Sequence, residues 1–238
     1  MSGHTQMPAL QLEAIHGAAQ TSPKTLPPML AALNLLEDLG TPIMVRREQE
    51  IYAQDDQADY YYEVVTGSVR TVRLMADGRR QVSEFLMPGD VFGFDALDTY
   101  DFAAEALEDT LLRRLPRRRV EALAAQHAGL SQQLRRMMNE KLRQAHERMM
   151  VLGRMTASER IASFLLHVAE RAAVRTGGQF DLTMSRRDIA DYLGLTIETV
   201  SRTLTMLKGD GTIAMLKKCR IEIRNRAALE SMASEPRH

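Results

Sequence analysis

The 238-residue sequence predicts an α+β protein with an antiparallel β-roll of the jelly-roll type, a long connecting helix and a C-terminal winged helix-turn-helix. Three observations support this fold class. Short alternating runs separated by turn residues fill residues 41–115, an apolar stripe with helical spacing extends over 130–152, and two short helices flank a glycine turn within 183–209. We divide the chain into a segment 1–30, a roll domain 31–128, a long helix 129–153 and a winged domain 154–238.

Composition sets broad limits on the class of protein. The chain is 45% hydrophobic and 26% charged, with no net charge, as in a globular protein of one or two domains. It contains no run of 18 uncharged apolar residues, and residues 1–20 lack the basic start and apolar run of a secretion signal. Its one cysteine, Cys219, excludes a disulfide within the chain. These features predict a reduced, cytoplasmic protein without a membrane-bound part.

The roll domain is predicted from strand-like runs and the turns between them. Residues 1–30 contain Pro23, Pro27 and Pro28 and are predicted to be mobile, followed by a short helix over 31–39. The pair Asp77-Gly78 separates two alternating runs and predicts a hairpin turn, because glycine accepts a positive φ. Further turn sequences occur at residues 66–67 and 88–90. Many short strands at this spacing predict an antiparallel barrel or jelly roll.

The long helix carries one narrow apolar stripe. A helix of about 22 residues is about 33 Å long at 1.5 Å per residue. Such a helix can pack on its own domain or on its twin in a dimer, and an ordinary surface helix is the alternative. We expect Gly153 to end it, and residues 156–159 to form a capping box that opens the next helix, which runs to about Val174. The stripe consists of Leu130, Leu134, Met138, Leu142, Ala145, Met149 and Leu152.

Residues 183–209 predict a helix-turn-helix, in which the second helix enters the DNA major groove. Ser185 caps the first helix, and Asp188 lies at the positive end of its dipole. Gly194 allows the sharp turn, and Thr196 caps the second helix. The predicted buried side chains are Ile189, Ala190 and Leu193 in the first helix, Leu195 in the turn, and Val200, Leu204 and Leu207 in the second.

The second helix presents Glu198, Ser201 and Arg202 together, because residues three and four apart lie on one helix face. A glutamate can accept a hydrogen bond from cytosine N4, and an arginine can bind guanine O6 and N7. The alternative is a surface ion pair of little energetic value. Residues 137–238 also carry 17 Lys and Arg against 12 Asp and Glu, whereas residues 1–136 carry 14 against 19. This asymmetry is a weak indication of a nucleic-acid-facing half.

A basic hairpin follows the second helix. Residues 213–215 and 221–223 are short apolar strand sequences, and Lys217, Lys218 and Arg220 lie between them around Cys219. We interpret this hairpin as a wing that follows the phosphate backbone of DNA. The segment therefore predicts a winged helix-turn-helix.

Over nearly its whole length the chain resembles the CRP/FNR family of bacterial transcription regulators. The resemblance is carried by residues 67–69 (Gly-Ser-Val), residues 88–93 (Pro-Gly-Asp-Val-Phe-Gly) and, above all, residues 187–202 of the helix-turn-helix. The Glu198–Ser201–Arg202 triad resembles the FNR branch, and residues 149–160 are similar to FixK-type members. The resemblance implies a cyclic-nucleotide-binding-like roll and a homodimer that binds a palindrome like TTGAT-N4-ATCAA. It also implies activation of genes for microaerobic respiration, denitrification or nitrogen fixation, at a protein level set by an upstream oxygen-responsive system.

The resemblance also implies functional residues. Arg202 would bind the guanine and Glu198 the paired cytosine, while Ser201 and Ile197 would contact thymine. The family recruits RNA polymerase, and the hairpin of Asp77, Gly78, Arg79 and Arg80 is similar to a region used for that contact. The dimerisation residues are the stripe from Leu134 to Leu152. The full predicted DNA-binding set is Glu198, Ser201, Arg202, Ile197, Thr196, Thr199, Ser185, Arg186, Lys217 and Lys218.

Two departures from the family pattern concern cofactors. The FNR branch holds an iron–sulfur cluster with several cysteines, and residues 1–218 contain none, which excludes such a cluster. The CRP branch binds cyclic AMP, but here Phe94 replaces its glutamate and Asp101-Phe102 its phosphate-binding arginine. The carboxylates of Asp95, Asp98, Asp101 and Glu105 are expected to repel a phosphate. We therefore predict a regulator without a cofactor; a ligand-gated member, or a haem-gated one using His4 or His16, is the alternative.

Two further hypotheses are a cupin-like enzyme and a redox role for Cys219. A cupin-like enzyme needs histidine ligands on roll strands, and no histidine lies between His16 and His127. No phosphate loop or nucleophile–base arrangement was found either. Cys219 is a redox candidate because Lys217, Lys218 and Arg220 would stabilise its thiolate. Its oxidation would add charge or bulk near a DNA phosphate, and the alternative is an incidental cysteine.

Overall fold

The computed structural model describes residues 39–94, 98–176, 179–217 and 219–234. The predicted mobile segment 1–30 and all but the last residue of the predicted helix 31–39 lie outside these ranges. Eight strands form the roll, and the fold class predicted from the sequence is confirmed. The strands are β1 (Thr41–Val45), β2 (Glu50–Tyr52), β3 (Tyr60–Thr66), β4 (Val69–Leu74), β5 (Arg80–Leu86), β6 (Val91–Phe92), β7 (Ala103–Ala106) and β8 (Thr110–Pro116).

The roll consists of two antiparallel four-stranded sheets. Their strand orders are β1-β8-β3-β6 and β2-β7-β4-β5, and every strand contributes to one enclosed core. The predicted hairpin joins β4 to β5, with Leu74 opposite Arg80. Gly78 in its turn has φ +81°, a left-handed conformation that favours glycine.

Aromatic side chains fill the interior of the roll. The rings of Tyr52 and Tyr100 are stacked with centroids 3.7 Å apart, and those of Tyr62 and Phe92 are 5.3 Å apart. The Tyr100 hydroxyl donates a hydrogen bond of 2.6 Å to the carbonyl of Tyr60. Burial raises the pKa of Tyr100, so it remains a neutral donor. Side chains from the strands and loops of the roll thus fill its core.

Three helices follow the roll: α1 (Arg117–Gln126), α2 (Ala128–Arg154) and α3 (Ala157–Thr176). The 27-residue α2 is the predicted long helix; it continues one residue past Gly153, and Met155 is its C-cap. Glu159 accepts from the Thr156 amide at 2.7 Å and its own amide donates to the Thr156 hydroxyl, which confirms the predicted capping box.

The apolar stripe of α2 divides into two parts. Leu130 is fully buried and Leu134 is partly buried, both in a cluster with α1 and the roll. In contrast, the side chains of Met138, Leu142 and Met149 are 50%, 56% and 61% exposed. The beginning of the stripe therefore packs on its own domain, and its middle is unpaired within a single chain.

The remaining elements form the winged domain. They are β9 (Gln179–Asp181), α4 (Arg186–Leu193), α5 (Ile197–Gly209), β10 (Ile213–Lys217), β11 (Arg220–Ile223) and α6 (Arg226–Ala233). The three strands form an antiparallel sheet with the order β10-β11-β9, and its apolar side chains cover α4 and α5.

The roll and the winged domain share one hydrophobic core. Val82 and Phe85 of β5 belong to the same buried cluster as the residues of α3, α4 and α5. The ring of Phe85 lies 4.9 Å from that of Tyr192 in α4, and Phe164 of α3 lies 5.7 Å from Tyr192. Aromatic pairs at these distances add to the burial energy. The helix-turn-helix is consequently seated directly on the roll.

Candidate nucleic-acid interface

The first helix of the helix-turn-helix, α4, is capped as predicted. The Ser185 hydroxyl accepts from the Asp188 amide at 3.1 Å, and the Asp188 carboxylate accepts from the Ser185 amide at 3.0 Å. Ser185 Oγ also donates to Asp188 Oδ2 at 2.6 Å. This predicted DNA-binding hydroxyl is thus engaged in holding the helix end. Gly194 has φ +63°, and it makes the predicted turn into α5.

The second helix, α5, packs its apolar face into the core, and a side-chain cap holds its N-terminus. Val200, Leu204 and Leu207 are buried, as predicted. The Thr196 hydroxyl accepts from the Thr199 amide at 3.2 Å, and the two threonine hydroxyls are 3.0 Å apart. A cap of this kind stabilises a helix by about 1 kcal/mol. The rigid first turn carries the predicted base-reading side chains.

The exposed face of α5 is free. Glu198 and Arg202 are exposed, Ser201 and Thr199 are partly exposed, and Ile197 is 42% exposed. Within the described part of the chain, the side chains of Glu198 and Arg202 take part in no hydrogen bond and no ion pair. The two charges therefore do not form the surface pair that was the alternative, and their donors and acceptors remain available to a ligand.

The wing is present, but its charges are arranged differently from the prediction. Lys217 lies on β10, Lys218 lies outside the described residues, and Cys219 is exposed in the turn. Arg220 donates twice to Asp181, at 2.8 and 3.0 Å. Hydrogen bonds in this pair raise the pKa of Arg220 and lower the pKa of Asp181. The expectation that Arg220 serves the Cys219 thiolate is wrong, because its guanidinium is turned to β9.

Arg186 is also placed differently from the expectation of a DNA contact. It is partly buried, with Nη2 3.7 Å from the sulfur of Met215. It lines a cavity of about 220 Å³ that also contains Cys219, and burial lowers the pKa of its guanidinium. The neighbouring Arg187, which the sequence reasoning did not select, is exposed. Local sequence gives no means of telling the two apart, because the wing that covers Arg186 lies 30 residues away.

The winged domain makes buried, charged contacts with the roll. Arg70 of β4 is buried and donates to Glu105 at 2.7 Å, to Glu48 at 2.8 Å and to Asp188 at 3.1 Å. We call the contacts of Arg70 and Arg80 with Asp188 and Asp191 the roll–helix junction. Arg70 is not among the residues predicted from the sequence. Its position inside the apolar run of a strand is a signal that could have indicated a paired, buried guanidinium.

Arg80 does not have the exposed position expected of a polymerase-contacting residue. Its guanidinium donates to Asp188 at 3.0 Å and to Asp191 at 2.9 Å. Arg79, in contrast, is exposed and pairs with Asp77 at the hairpin tip. The prediction that all four hairpin residues face outward is therefore wrong for Arg80.

Glu105 also lies in a different place from the one that the sequence predicts. It was expected to repel a phosphate inside the roll, but on β7 it alternates with the buried Ala104 and Ala106 and points outward. Its carboxylate accepts from Arg70 and lies near Arg80. Asp95, another member of that set, lies outside the described residues.

Two arginines connect the long helix to the winged domain. The Arg148 guanidinium of α2 lies 4.0 Å from the ring centre of Tyr192, and it donates to the carbonyls of Val82 at 2.6 Å and Tyr192 at 3.0 Å. Arg160 of α3 donates to the carbonyls of Leu152, Met155 and Leu193 at 2.7, 2.9 and 2.9 Å. The ends of α2 and α4 are thus held at one point.

Among the described residues, no helix combines the length and apolarity needed to cross a membrane.

Comparisons with known proteins match both halves of the chain. Residues 42–127 match the model of the cyclic nucleotide-binding domain, and residues 159–232 match the Crp-like helix-turn-helix domain. The nitrogen fixation regulation protein FixK of Azorhizobium caulinodans is 44% identical over 199 residues, covering 82% of this chain and 80% of that protein. FixK of Rhizobium meliloti is 44% identical over 191 residues, covering 78% and 84%.

A solved structure agrees with the sequence comparisons. The structure of FixK2 from Bradyrhizobium japonicum is 42% identical, with a TM-score of 0.79. The match covers 83% of this chain and 99% of that one. The transcriptional activator Anr of Pseudomonas protegens is a more distant relative, at 34% identity over 84% of this chain and 86% of that protein.

Proposed function

Because this chain belongs to the CRP/FNR family of DNA-binding transcription regulators, with FixK proteins among its relatives, we propose that it is a homodimeric activator that reads a TTGAT-N4-ATCAA-like palindrome. The chain is a regulator and not an enzyme, since its relatives are transcription regulators with the same DNA-binding domain. Its target genes serve microaerobic respiration, denitrification or nitrogen fixation, and it acts in the cytoplasm, where its DNA lies.

The observation that carries the proposal is the free, capped face of α5. Arg202 binds guanine O6 and N7, and Glu198 accepts from the N4 of the paired cytosine. Ser201 and the exposed Ile197 contact thymine, whose methyl group suits an apolar neighbour. Lys217 and Lys218 contact phosphates, which supply affinity without sequence information. Each chain of a dimer reads one half of the palindrome.

The exposed middle of the α2 stripe supports a homodimer. Met138, Leu142, Ala145 and Met149 follow one another at steps of four, three and four, as in a coiled-coil seam. Leu142 and Met149 are more than half exposed in one chain. Burying such side chains against a twin helix is favourable by about 25 cal/mol per Å² of apolar surface. Leu134 and Leu152 border this seam at its two ends.

The packing of the roll supports activity without a cofactor. Phe94, which stands in place of the family's glutamate, stacks on Tyr61 with ring centroids 4.1 Å apart. This pair belongs to the cluster between the roll and α1, while four other aromatic rings fill the roll interior. Two cavities, one at the roll–helix junction and one under the wing, are lined by residues outside the roll interior. A regulator built this way is active at a level set by its own abundance.

RNA polymerase is the proposed protein partner, through the tip of the β4–β5 hairpin. Asp77, Gly78 and Arg79 are exposed there. The structure orients Arg80 away from this surface, so we confine the proposed contact to the other three residues.

The proposal is tested by fluorescence anisotropy of the purified protein with a TTGAT-N4-ATCAA duplex and no added effector. A scrambled duplex at the same salt concentration is the control, because phosphate contacts alone produce salt-dependent binding. We expect specific binding at nanomolar protein and weak binding to the scrambled duplex. Equal, weak binding to both would contradict the proposal. Repeating the titration with a CRP-type duplex and with added nucleotides would then distinguish a wrong half-site from a missing effector.

A further inference from the structure

We propose that the roll–helix junction orients the helix-turn-helix for DNA binding, so that Arg70 and Arg80 of the roll are positioning residues for a helix they do not belong to. The inference rests on the proposed function, because it explains how the recognition helix is held ready without an effector.

The carboxylate of Asp188 binds two different groups, one with each oxygen. One carboxylate oxygen accepts from the amide and hydroxyl of Ser185 and closes the cap of α4. The other oxygen accepts from Arg70 at 3.1 Å and from Arg80 at 3.0 Å. Asp188 is buried. The residue that defines the start of α4 is therefore also the residue that the roll holds.

The junction also attaches to α4 at a second residue, Asp191. Asp191 lies nearly one turn further along, and its carboxylate accepts from Arg80 at 2.9 Å. The side-chain amide of Gln81 donates to the backbone carbonyl of Asp191. Two attachment points on one helix restrict its rotation as well as its position. The hydrogen bonds of Arg80 with Asp188 and Asp191 are charge-assisted, which makes them stronger than the neutral bond from Gln81.

A short turn connects α4 to α5, which carries the proposed DNA-reading residues. The turn at Gly194 is short, and the Leu195 amide donates to the Ala190 carbonyl at 3.0 Å. The two helices also share one buried cluster, so α5 follows any movement of α4. The side chains of Glu198 and Arg202 therefore face the direction that the roll imposes.

The arginines themselves are held by carboxylates of the roll. Glu105 and Glu48 bind Arg70 at 2.7 and 2.8 Å. These contacts leave the Arg70 guanidinium little rotational freedom before α4 is considered, so the roll presents a prearranged donor to Asp188. Prearranged groups lose less entropy on forming a contact.

The consequence concerns the fraction of molecules that can bind DNA. When only a fraction of the protein has the competent arrangement, the apparent dissociation constant rises in inverse proportion to that fraction. Without the junction, α4 and α5 would sample other orientations, and specific affinity would fall. Binding to random DNA through phosphate contacts depends less on orientation.

The test uses the full-length protein with Arg80→Gln, and Asp191→Asn as the partner variant. We expect the affinity for the palindrome to fall at least fivefold in each variant, with the affinity for the scrambled duplex unchanged. The double variant should lose no more than Arg80→Gln alone, because Arg80→Gln already removes the one contact that Asp191→Asn removes. Arg73→Gln is the matched control, since Arg73 lies on β4 near Arg70 but is exposed, and it should behave like the wild type.

A second readout does not depend on DNA. The only cysteine of the chain is on the wing, and a fluorophore on Cys219 reports the motion of the winged domain by time-resolved anisotropy. Arg80→Gln should introduce a fast component that the wild type and Arg73→Gln lack. If the junction is only structural, Arg80→Gln lowers the melting temperature without changing either readout, and the inference is overturned.

Two other outcomes separate the inference from the proposed function. A higher affinity of Arg80→Gln for the palindrome would show that the junction holds DNA binding back, and this would overturn the inference. If the wild type does not distinguish the two duplexes, the proposed function fails, while the fluorophore measurement still decides whether the junction restrains the winged domain. Arg80→Lys should restore part of the affinity, because an ammonium can bind one carboxylate but cannot bridge two as the planar guanidinium does.

Discussion

The guanidinium of Arg148 lies over the ring of Tyr192, 4.0 Å from its centre, and joins the long helix α2 to the first helix of the helix-turn-helix. The contact is partly buried, and the same guanidinium donates to two carbonyl groups. We expect Arg148→Met to lower the free energy of unfolding by about 1–3 kcal/mol, since the carbonyls of Val82 and Tyr192 lose their donor. Urea denaturation measures this change.

Arg143 provides the control for Arg148. It lies on the same helix, is exposed, and pairs with the neighbouring Glu140 and Glu147. Exposed pairs of this kind contribute about 0–1 kcal/mol, so Arg143→Met should change stability little. Equal losses in the two variants would contradict the role assigned to Arg148.

Arg202 is predicted to read a single base pair. Arg202→Ala should weaken binding to the palindrome by about 1–3 kcal/mol and relax the preference at the guanine position. Duplexes with each of the four base pairs at that position, titrated by anisotropy, measure both effects. Arg226→Ala on α6 is the control, because Arg226 pairs with Glu230 and Glu170, and it should keep the wild-type preference. A uniform loss across all four duplexes would assign Arg202 to the phosphates instead.

Leu142 is predicted to lie in the dimer seam. It is 56% exposed in one chain, so Leu142→Glu should leave the fold of the protomer intact while placing like charges opposite each other in a dimer. Sedimentation velocity should show a monomer, and binding to the palindrome should weaken strongly as the two half-sites are no longer bound together. Gln144→Glu, on an exposed polar position of the same helix, should remain dimeric. A dimeric Leu142→Glu would disprove this interface.

Asp188 is predicted to contribute to acid sensitivity. Burial opposes its ionisation, but hydrogen bonds from Ser185 and Arg80 and the charge of Arg70 lower the pKa of its carboxyl. Since the folded pKa is below the unfolded value, the stabilisation is complete above about pH 4 and is lost as the pH falls further. Asp188→Asn should be less stable at neutral pH and should show a flatter dependence of unfolding free energy on pH below 4. Urea titrations across this range measure both, and an unchanged slope would contradict the assignment.

Cys219 remains a redox prediction. It is exposed and lines the same cavity as Arg186, so an oxidant can reach its sulfur. Peroxide treatment should weaken binding of the wild type to the palindrome severalfold, and Cys219→Ser should be insensitive. Mass spectrometry must show the oxidised thiol in the same sample. Oxidised protein with unchanged affinity would reduce Cys219 to an incidental residue.

The helix-turn-helix could be predicted from the sequence because its determinants are local. Ser185, Gly194 and Thr196 are each within a few residues of the groups they cap or turn, and the structure has all three in the expected roles. The hairpin at Asp77-Gly78 was predictable for the same reason.

The junction could not be predicted, because its partners are far apart in the chain. Arg70 and Asp188 are 118 residues apart, and Arg80 and Asp191 are 111 residues apart. Nothing near Arg80 shows that it turns inward while Arg79 stays exposed. Only the tertiary packing of β5 against α4 separates the two. The same holds for Leu134, whose helical spacing matches the seam although it is partly buried against its own roll.

The single core that runs from β5 into the winged domain restricts how such regulators can be recombined. Val82 and Phe85 supply apolar surface that α3 and α4 need in order to be covered. A chimaera that grafts this DNA-binding half onto a foreign sensor would expose Phe164 and Tyr192 unless the new sensor carried matching side chains. Because the two halves share this core at β5, a substitution there must be matched by a substitution on the facing helices if the core is to stay covered.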